Sequence, residues 1–352
     1  MRFKEEQKER IIFYLLEKIK QGKENISRTV SEEFGINQAT VHSYLNELMN
    51  SGVIRRVKRG EYTLVVSEYE YTLHRSEGDL DTDTYAFERC LKEHIADLPQ
   101  NVRGIWAYAF STMVNNVMDH SEAETMRVII RRDYLDTQAL ILDDGIGIFE
   151  KIRSHFRMKS LDEAIQELFK GKLTTDEKNH SGEGIFFTSK LMDEFFILSD
   201  GKVFTNNRYD VSQVFDLPEM AGGTGVFMQL SNFTTKNSQE VFDMFSNVDG
   251  GFTKTRIPIK NMFDADPVSR SQAKRVCNGL NRFREVEIDF SGVDWMGQGF
   301  AHQIFVVFQN EHPEIRLIPI NMSNGVARMY AHICYIKTTT RHRCRQQNTT
   351  RI

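Results

Sequence analysis

The sequence predicts a multidomain α+β protein. Its 352 residues, 40% of them apolar, are enough for two or three domains, each with its own core. Helical periodicity dominates the first fifty residues, glycine-containing segments follow apolar strands in the middle, and strands alternate with helices after residue 251. The predicted ranges are a small helical unit at 1–66, a larger domain at 67–235, a small α/β domain at 245–336, and a disordered tail at 337–352.

Composition excludes several classes of protein. The formal net charge of −4 provides no general attraction to nucleic acid, so any contact with DNA needs a local basic surface. No stretch is apolar enough to span a bilayer. The segment Met1–Glu6 carries four charged side chains where a signal peptide would turn apolar. The four scattered cysteines suit reduced thiols. We therefore expect a cytoplasmic protein without a membrane partner.

The first element is a helical unit with apolar residues at helical spacing from Ile11 to Leu48. Gly35 is expected in a turn, and Asn37 is expected to cap a helix over residues 38–50. Two short strands joined at Arg59-Gly60 follow. Helix, turn, helix and a basic hairpin form one compact unit.

This order of elements resembles the winged helix-turn-helix domain of bacterial regulators. The resemblance implies that double-stranded DNA is the partner, with the second helix in the major groove and the hairpin along the backbone. The residues that it assigns to DNA are Gln38, Thr40, His42 and Ser43 on the helix, and Arg55, Arg56, Lys58 and Arg59 on the hairpin. An alternative is a winged helix that binds only protein.

Three separated segments in the middle of the chain predict a nucleotide site. Residues 115–120 place asparagines on a helix, residues 143–147 place an Asp and glycines at a strand end, and residues 181–184 form a glycine-rich turn before a helix. Each segment alone is also ordinary cap or turn chemistry. Their order, with an apolar strand before Asp143, favours the site. His120 lies one helical turn after Asn116 and either faces the site or belongs to the core.

These segments resemble the Bergerat-fold ATP-binding domain of the GHKL superfamily. The resemblance implies ATP and Mg²⁺ as cofactors. The site residues that it implies are Asn116 for the metal, Asp143 with Gly145, Gly147 and Thr224 for adenine, and Gly182 with Gly184 for a lid over the phosphates.

The presumed lid extends from about residue 149 to residue 180. It contains several lysines, of which Lys172 is the one we expect to contact phosphate, although a charged loop is usually only solvated. Ser160 is expected to cap a helix within the lid.

Position 112 departs from the family pattern. ATPases and protein kinases of the superfamily usually have a Glu four residues before the metal-binding Asn, where it acts as a general base. Here Thr112 occupies that position, and a neutral hydroxyl cannot do this work unaided. The sequence therefore predicts ATP binding rather than rapid turnover, and leaves open whether the chain is a slow ATPase or a kinase.

The last predicted domain contains Asp289–Phe300, which resembles the strand, loop and helix of STAS-like domains. The resemblance implies a protein partner. Phosphorylated members have a serine at the loop tip, where this chain has Met296, Gly297 and Gln298, and Ser291 is expected to be a turn residue.

The full order of domains is similar to a group of bacterial ATP-binding proteins. It predicts a DNA-binding regulator, able to form a homodimer, in which nucleotide occupancy controls the winged-helix and STAS-like domains. Two alternatives remain: a serine/threonine protein kinase of the anti-sigma type with the STAS-like domain as partner, or an ATP-dependent protein-interaction switch.

Overall fold

The computed structural model describes five stretches of the chain, which together include most of each predicted domain. The predicted tail, residues 174–180 of the presumed lid and Ser181 of the third segment lie outside them. The described stretches are residues 2–173, 182–205, 222–247, 251–263 and 266–335.

The chain begins with three helices and a hairpin. Asn37 caps the third helix by accepting a hydrogen bond from the backbone N–H of Ala39 at 2.9 Å, and Gly35 has a φ of 62°. The predicted helix over residues 38–50 and the hairpin turn at Arg59-Gly60 are confirmed. The elements are α1 (Arg2–Lys20), α2 (Ile26–Phe34), α3 (Gln38–Asn50), β1 (Ile54–Lys58) and β2 (Glu61–Leu64).

A six-stranded antiparallel sheet occupies the middle of the chain. Its spatial order is β3-β4-β5-β8-β6-β7, so β5 lies between β4 and β8. The interior position explains why β5 is buried along most of its length. The strands are β3 (Ser67–His74), β4 (Thr125–Arg132), β5 (Asp136–Asp143), β6 (Glu194–Ser199), β7 (Lys202–Thr205) and β8 (Thr224–Ser231).

Helices cover one face of this sheet. Trp106 and Phe110 of α5 are fully buried beneath the alternating inward residues of β4. On the other face Leu140, Phe196 and Phe227 form a smaller buried cluster. The helices are α4 (Asp83–Cys90), α5 (Gln100–Asn116), α6 (Ile148–His155), α7 (Leu161–Lys170), α8 (Gly184–Leu191) and α9 (Ser238–Phe245).

Two helices end where the backbone leaves helical geometry. α4 ends at Cys90, because the next residue, Leu91, has a φ of −125° and buries its side chain. α11 ends at Cys277, because Asn278 has a non-helical ψ of 133° and Gly279 then adopts a left-handed φ of 66°. The predicted Ser160 cap is confirmed, since its hydroxyl accepts from the N–H of Glu163 at 3.3 Å.

A second, parallel sheet of three strands follows, in the order β11-β10-β9. Helices connect its strands, as the alternation in the sequence predicted. The elements are β9 (Lys254–Pro258), α10 (Ile259–Met262), α11 (Arg270–Cys277), β10 (Glu285–Asp289), α12 (Gln298–His302), α13 (Gln309–Glu311), β11 (Arg316–Ile320) and a helical stretch at 324–335.

One buried core joins the central sheet to the elements that follow it. Phe252, just before β9, lies 4.8 Å from Phe186 and 5.4 Å from Phe283 between ring centroids. The N-terminal helices have a separate core, to which Leu135 of the β4–β5 turn also belongs. In the stretches described, no helix has both the length and the apolar character that crossing a membrane requires.

Candidate functional site

A cavity of about 410 Å³ opens between α5, the end of β5 and the start of α8. A volume of this size is typical of a small-molecule site. Most of the site residues predicted from the three sequence segments line it. They are Thr112, Asn116, Asp143, Gly147, Gly182, Gly184 and Thr224, and His120 lines it as well.

Asp143 provides a buried acceptor at the end of β5. Its side chain is only 8% exposed, and one carboxylate oxygen accepts from the N–H of Gly145 at 2.9 Å. Burial raises the pKa of Asp143 to about 6, so the carboxylate is still charged at neutral pH. It can accept a hydrogen bond from an amino group in the cavity.

Close backbone packing explains the glycines beside Asp143. A Cβ at position 145 would lie 2.2 Å from the carbonyl oxygen of Ser121, and one at position 223 would lie 1.9 Å from the carbonyl oxygen of Asp143. Gly145 therefore supports the strand end without itself lining the cavity. Thr224, 6% exposed, accepts from the N–H of Ile148 at 3.0 Å.

Thr112 and Asn116 lie one turn apart on α5 and face the same cavity. The hydroxyl of Thr112 donates to the carbonyl oxygen of Tyr108 at 2.7 Å, as helical threonines do. The hydroxyl proton of Thr112 is therefore held in a hydrogen bond within α5. Position 112 therefore contributes shape and a neutral oxygen to the cavity.

The glycine segment at residues 182–184 approaches α5 and residue 173 closely. A Cβ at Gly184 would lie 2.4 Å from the methyl carbon of Thr112, and one at Gly182, where φ is 70°, would lie 2.6 Å from the backbone nitrogen of Leu173. Only glycine fits both positions without a shift of the neighbours. The start of α8 thereby stays at the rim of the cavity.

Lys172 does not line the cavity, although its neighbours Gly171 and Leu173 do. Its ammonium donates to the carbonyl oxygen of Arg282 at 3.2 Å and lies over the rings of Phe252 and Phe283. The long side chain is drawn toward the C-terminal elements because they offer an acceptor and two aromatic faces. The Lys172 ammonium, expected to contact phosphate, therefore lies against the C-terminal elements in this structure and not in the cavity.

Four polar residues line the cavity that sequence reasoning missed: Tyr108, Ser121, Lys151 and Glu183. Spacing was the available signal, because Tyr108 precedes Thr112 by one helical turn and Lys151 follows Gly147 by four residues. Glu183 lies between the two predicted glycines. Burial raises the pKa of Tyr108 to about 12, and the negative charge of Glu183 adds to the effect. Tyr108 is therefore a neutral hydroxyl at physiological pH.

The predicted DNA-contacting residues lie on the surface of the N-terminal helices and hairpin. Gln38, His42 and Ser43 are exposed at the start of α3, and Thr40 is half-buried. Four cations are exposed within five positions of the hairpin, namely Arg55, Arg56, Lys58 and Arg59. Lys58 pairs with Glu61 at 2.7 Å, so part of its charge is compensated. These four residues are called the basic hairpin below.

Two family models match parts of the chain. Residues 2–68 are similar to the Firmicute plasmid replication protein (RepL) family. Residues 272–327 match the STAS-like domain of unknown function (DUF4325). No curated protein matches the sequence.

The second match confirms the STAS-like prediction for the part of residues 245–336 that it covers. The loop after β10 lies within that match. Met296 is buried, a Cβ at Gly297 would meet the carbonyl oxygen of Val268 at 2.5 Å, and the Ser291 hydroxyl donates to Asp289 at 2.7 Å. Ser291 is therefore a turn residue, as predicted.

The cavity combines a charged acceptor, a neutral tyrosine hydroxyl, an amide and a lysine within a largely apolar lining. Such a lining is suited to a flat apolar ring with polar edges and an attached anion. Over the described stretches, no three His, Cys, Asp or Glu side chains are grouped so that they could hold a metal ion.

Proposed function

We propose that the chain is an ATP-binding regulator with a Bergerat-type central domain and an N-terminal winged helix that binds double-stranded DNA. Nucleotide occupancy changes the DNA-binding affinity. One observation carries the proposal: three segments far apart in sequence meet at one cavity that contains a buried carboxylate.

The lining suits ATP on three grounds. Asp143 is a charged acceptor where an adenine amino group needs one, and Thr224 lies beside it. Ile148, Ile197 and Val226 supply apolar surface for a base. Gly182 and Gly184 hold backbone close to the cavity, where N–H groups can meet phosphates.

Asn116 would hold Mg²⁺ through its amide oxygen, together with the phosphates. The metal would neutralise phosphate charge in the bound state. Thr112 would provide no general base, because its hydroxyl is neutral and donates within α5. We therefore expect tight binding with slow turnover.

DNA binding is supported by the basic hairpin and by the match over residues 2–68. That family is described as a plasmid replication protein, and plasmid replication acts on DNA. The exposed α3 residues would read base edges, and the hairpin cations would contact phosphates.

A direct contact between the N-terminal unit and the β4–β5 turn supports coupling. The ammonium of Lys20 donates to Asp133 at 2.8 Å and also to Asp136, the first residue of β5. The other end of β5 is Asp143. A single buried strand thus extends from the DNA-binding unit to the cavity.

The test is to measure ATP binding by calorimetry, with and without Mg²⁺, and phosphate release over hours. We expect wild type to bind ATP with negligible turnover, and Thr112→Glu to gain turnover because a carboxylate then faces the cavity. Fast turnover by wild type would instead favour an enzyme. Absence of ATP binding would refute the proposal.

A further inference from the structure

The C-terminal elements hold the segment at one rim of the cavity through hydrogen bonds. This segment, residues 170–173, begins with the last residue of α7 and includes Gly171 and Leu173, which line the cavity. It is called the rim segment below. Its partners lie more than eighty residues later in the chain.

Lys170 anchors the start of the rim segment. Its ammonium is fully buried and donates to Glu167 at 2.5 Å and to the carbonyl oxygens of Arg275 and Asn278 at 2.7 and 2.8 Å. A buried ammonium with three acceptors is held firmly, because a lost partner would leave charge uncompensated. Two of these acceptors belong to the end of α11 and the residues after it.

Backbone groups of the rim segment are held as well. The buried hydroxyl of Thr255, on β9, donates to the carbonyl oxygen of Lys170 at 2.7 Å. The guanidinium of Arg282 donates to the carbonyl oxygen of Lys172 at 2.8 Å and to Glu167 at 3.1 Å. In return, the ammonium of Lys172 donates to the carbonyl oxygen of Arg282 at 3.2 Å.

The rim segment packs directly against the glycine turn at residues 182–184. Leu173 touches Gly182 so closely that a Cβ there would lie 2.6 Å from the Leu173 nitrogen. A shift of the rim segment must therefore move the turn at the mouth of the cavity. The end of the cavity around Asp143 has its own contacts to Gly145 and lies outside this chain of contacts.

We infer that the STAS-like unit sets the affinity of the phosphate end of the nucleotide site, with Arg282 and Thr255 as positioning residues. A protein that binds the STAS-like unit and displaces Arg282 would weaken ATP without touching the cavity. The inference rests on the proposed ATP site and adds the regulation of that site.

The test compares ATP with adenosine by calorimetry on the full chain, in wild type, Arg282→Ala and Thr255→Val. We expect Arg282→Ala to weaken ATP about tenfold while adenosine changes less than about twofold, because only the phosphate end is displaced. Thr255→Val keeps the side-chain shape and removes one hydrogen bond, so a smaller loss in the same direction is expected. It also serves if Arg282→Ala does not fold.

Arg316→Ala is the matched control, since Arg316 is an exposed arginine of the same unit that pairs with Glu285 at 3.2 Å. It should bind both ligands as wild type does. Unchanged ATP affinity in both positioning variants, or equal losses of ATP and adenosine, would overturn the inference alone. A wild-type chain that binds adenosine and ATP equally would also overturn it, whereas one that binds neither would remove the proposed function itself.

Discussion

At the scale of single residues, burial of the charged Asp143 carboxylate destabilises the fold, at the position where we propose that it binds adenine. Its folded-state pKa, about 6, lies above the ordinary value, so the wild-type fold loses stability as pH rises through 6. Asp143→Asn removes this cost and keeps an acceptor for the N–H of Gly145. We expect the ligand-free variant to be more stable at pH 7.5 by at most about 3 kcal/mol, and to lose ATP binding.

Denaturant unfolding at pH 4 and at pH 7.5 measures the effect. The gain should be present at pH 7.5 and absent at pH 4, where the wild-type carboxyl is largely protonated. Asp81→Asn changes an exposed carboxylate and serves as the control. A variant that is less stable than wild type at pH 7.5 would show that the charged carboxylate stabilises the fold.

At the scale of elements, the contact between α5 and α8 depends on a missing methyl group. Gly184→Ala would press a Cβ against the methyl carbon of Thr112, now 2.4 Å from that position. We expect a loss of about 1–3 kcal/mol in unfolding free energy. Thr112→Ser removes that methyl and keeps the hydroxyl, so the double variant should recover most of the loss.

Gly104→Ala is the control for this cycle. Gly104 lies in α5, as Thr112 does, and a Cβ there would have no neighbouring atom within 4 Å. It should be neutral or slightly stabilising, since alanine favours helix. Additive losses in Gly184→Ala and Thr112→Ser would mean that the two helices do not meet at this point.

At the scale of the whole molecule, the proposed coupling of DNA binding to nucleotide binding depends on the docking of the N-terminal unit at the β4–β5 turn. Lys20→Ala removes the ammonium shared by Asp133 and Asp136. We expect DNA affinity without ATP and ATP affinity without DNA to remain near wild type. The change in DNA affinity caused by ATP should fall several-fold.

Lys8→Ala is the matched control, because Lys8 pairs with Glu47 within the N-terminal unit, at 2.9 Å. It should leave the effect of ATP intact. Fluorescence anisotropy with duplex DNA at one fixed salt concentration measures both variants. An undiminished ATP effect in Lys20→Ala would exclude this route of coupling.

The cations of the basic hairpin should make DNA affinity depend on salt concentration. Arg55→Ala with Arg56→Ala removes two exposed cations, so the slope of log affinity against log salt should become shallower by about 2. Thr29→Ala, away from the hairpin, is the control. An unchanged slope would favour a winged helix that contacts protein.

The sequence by itself determined the local structure. Asn37 and Ser160 cap helices as predicted, because a capping side chain needs only neighbours in sequence. Alternating strands and helices after residue 251 likewise predicted a small α/β domain, and its strands form the parallel sheet. Asp143, Gly147, Gly182 and Gly184, which the sequence singled out, line one cavity.

Only the tertiary structure decided which distant groups meet. Lys172 carried a phosphate prediction from its place among lysines, yet its ammonium lies against Arg282, 110 residues later. Tyr108 and Glu183 stand at telling positions in the sequence, but only the packing of α5 against α8 makes them cavity residues. The physical reason is that periodicity and capping depend on near neighbours, whereas hydrogen-bond partners of a long side chain are chosen by the packing of the whole chain.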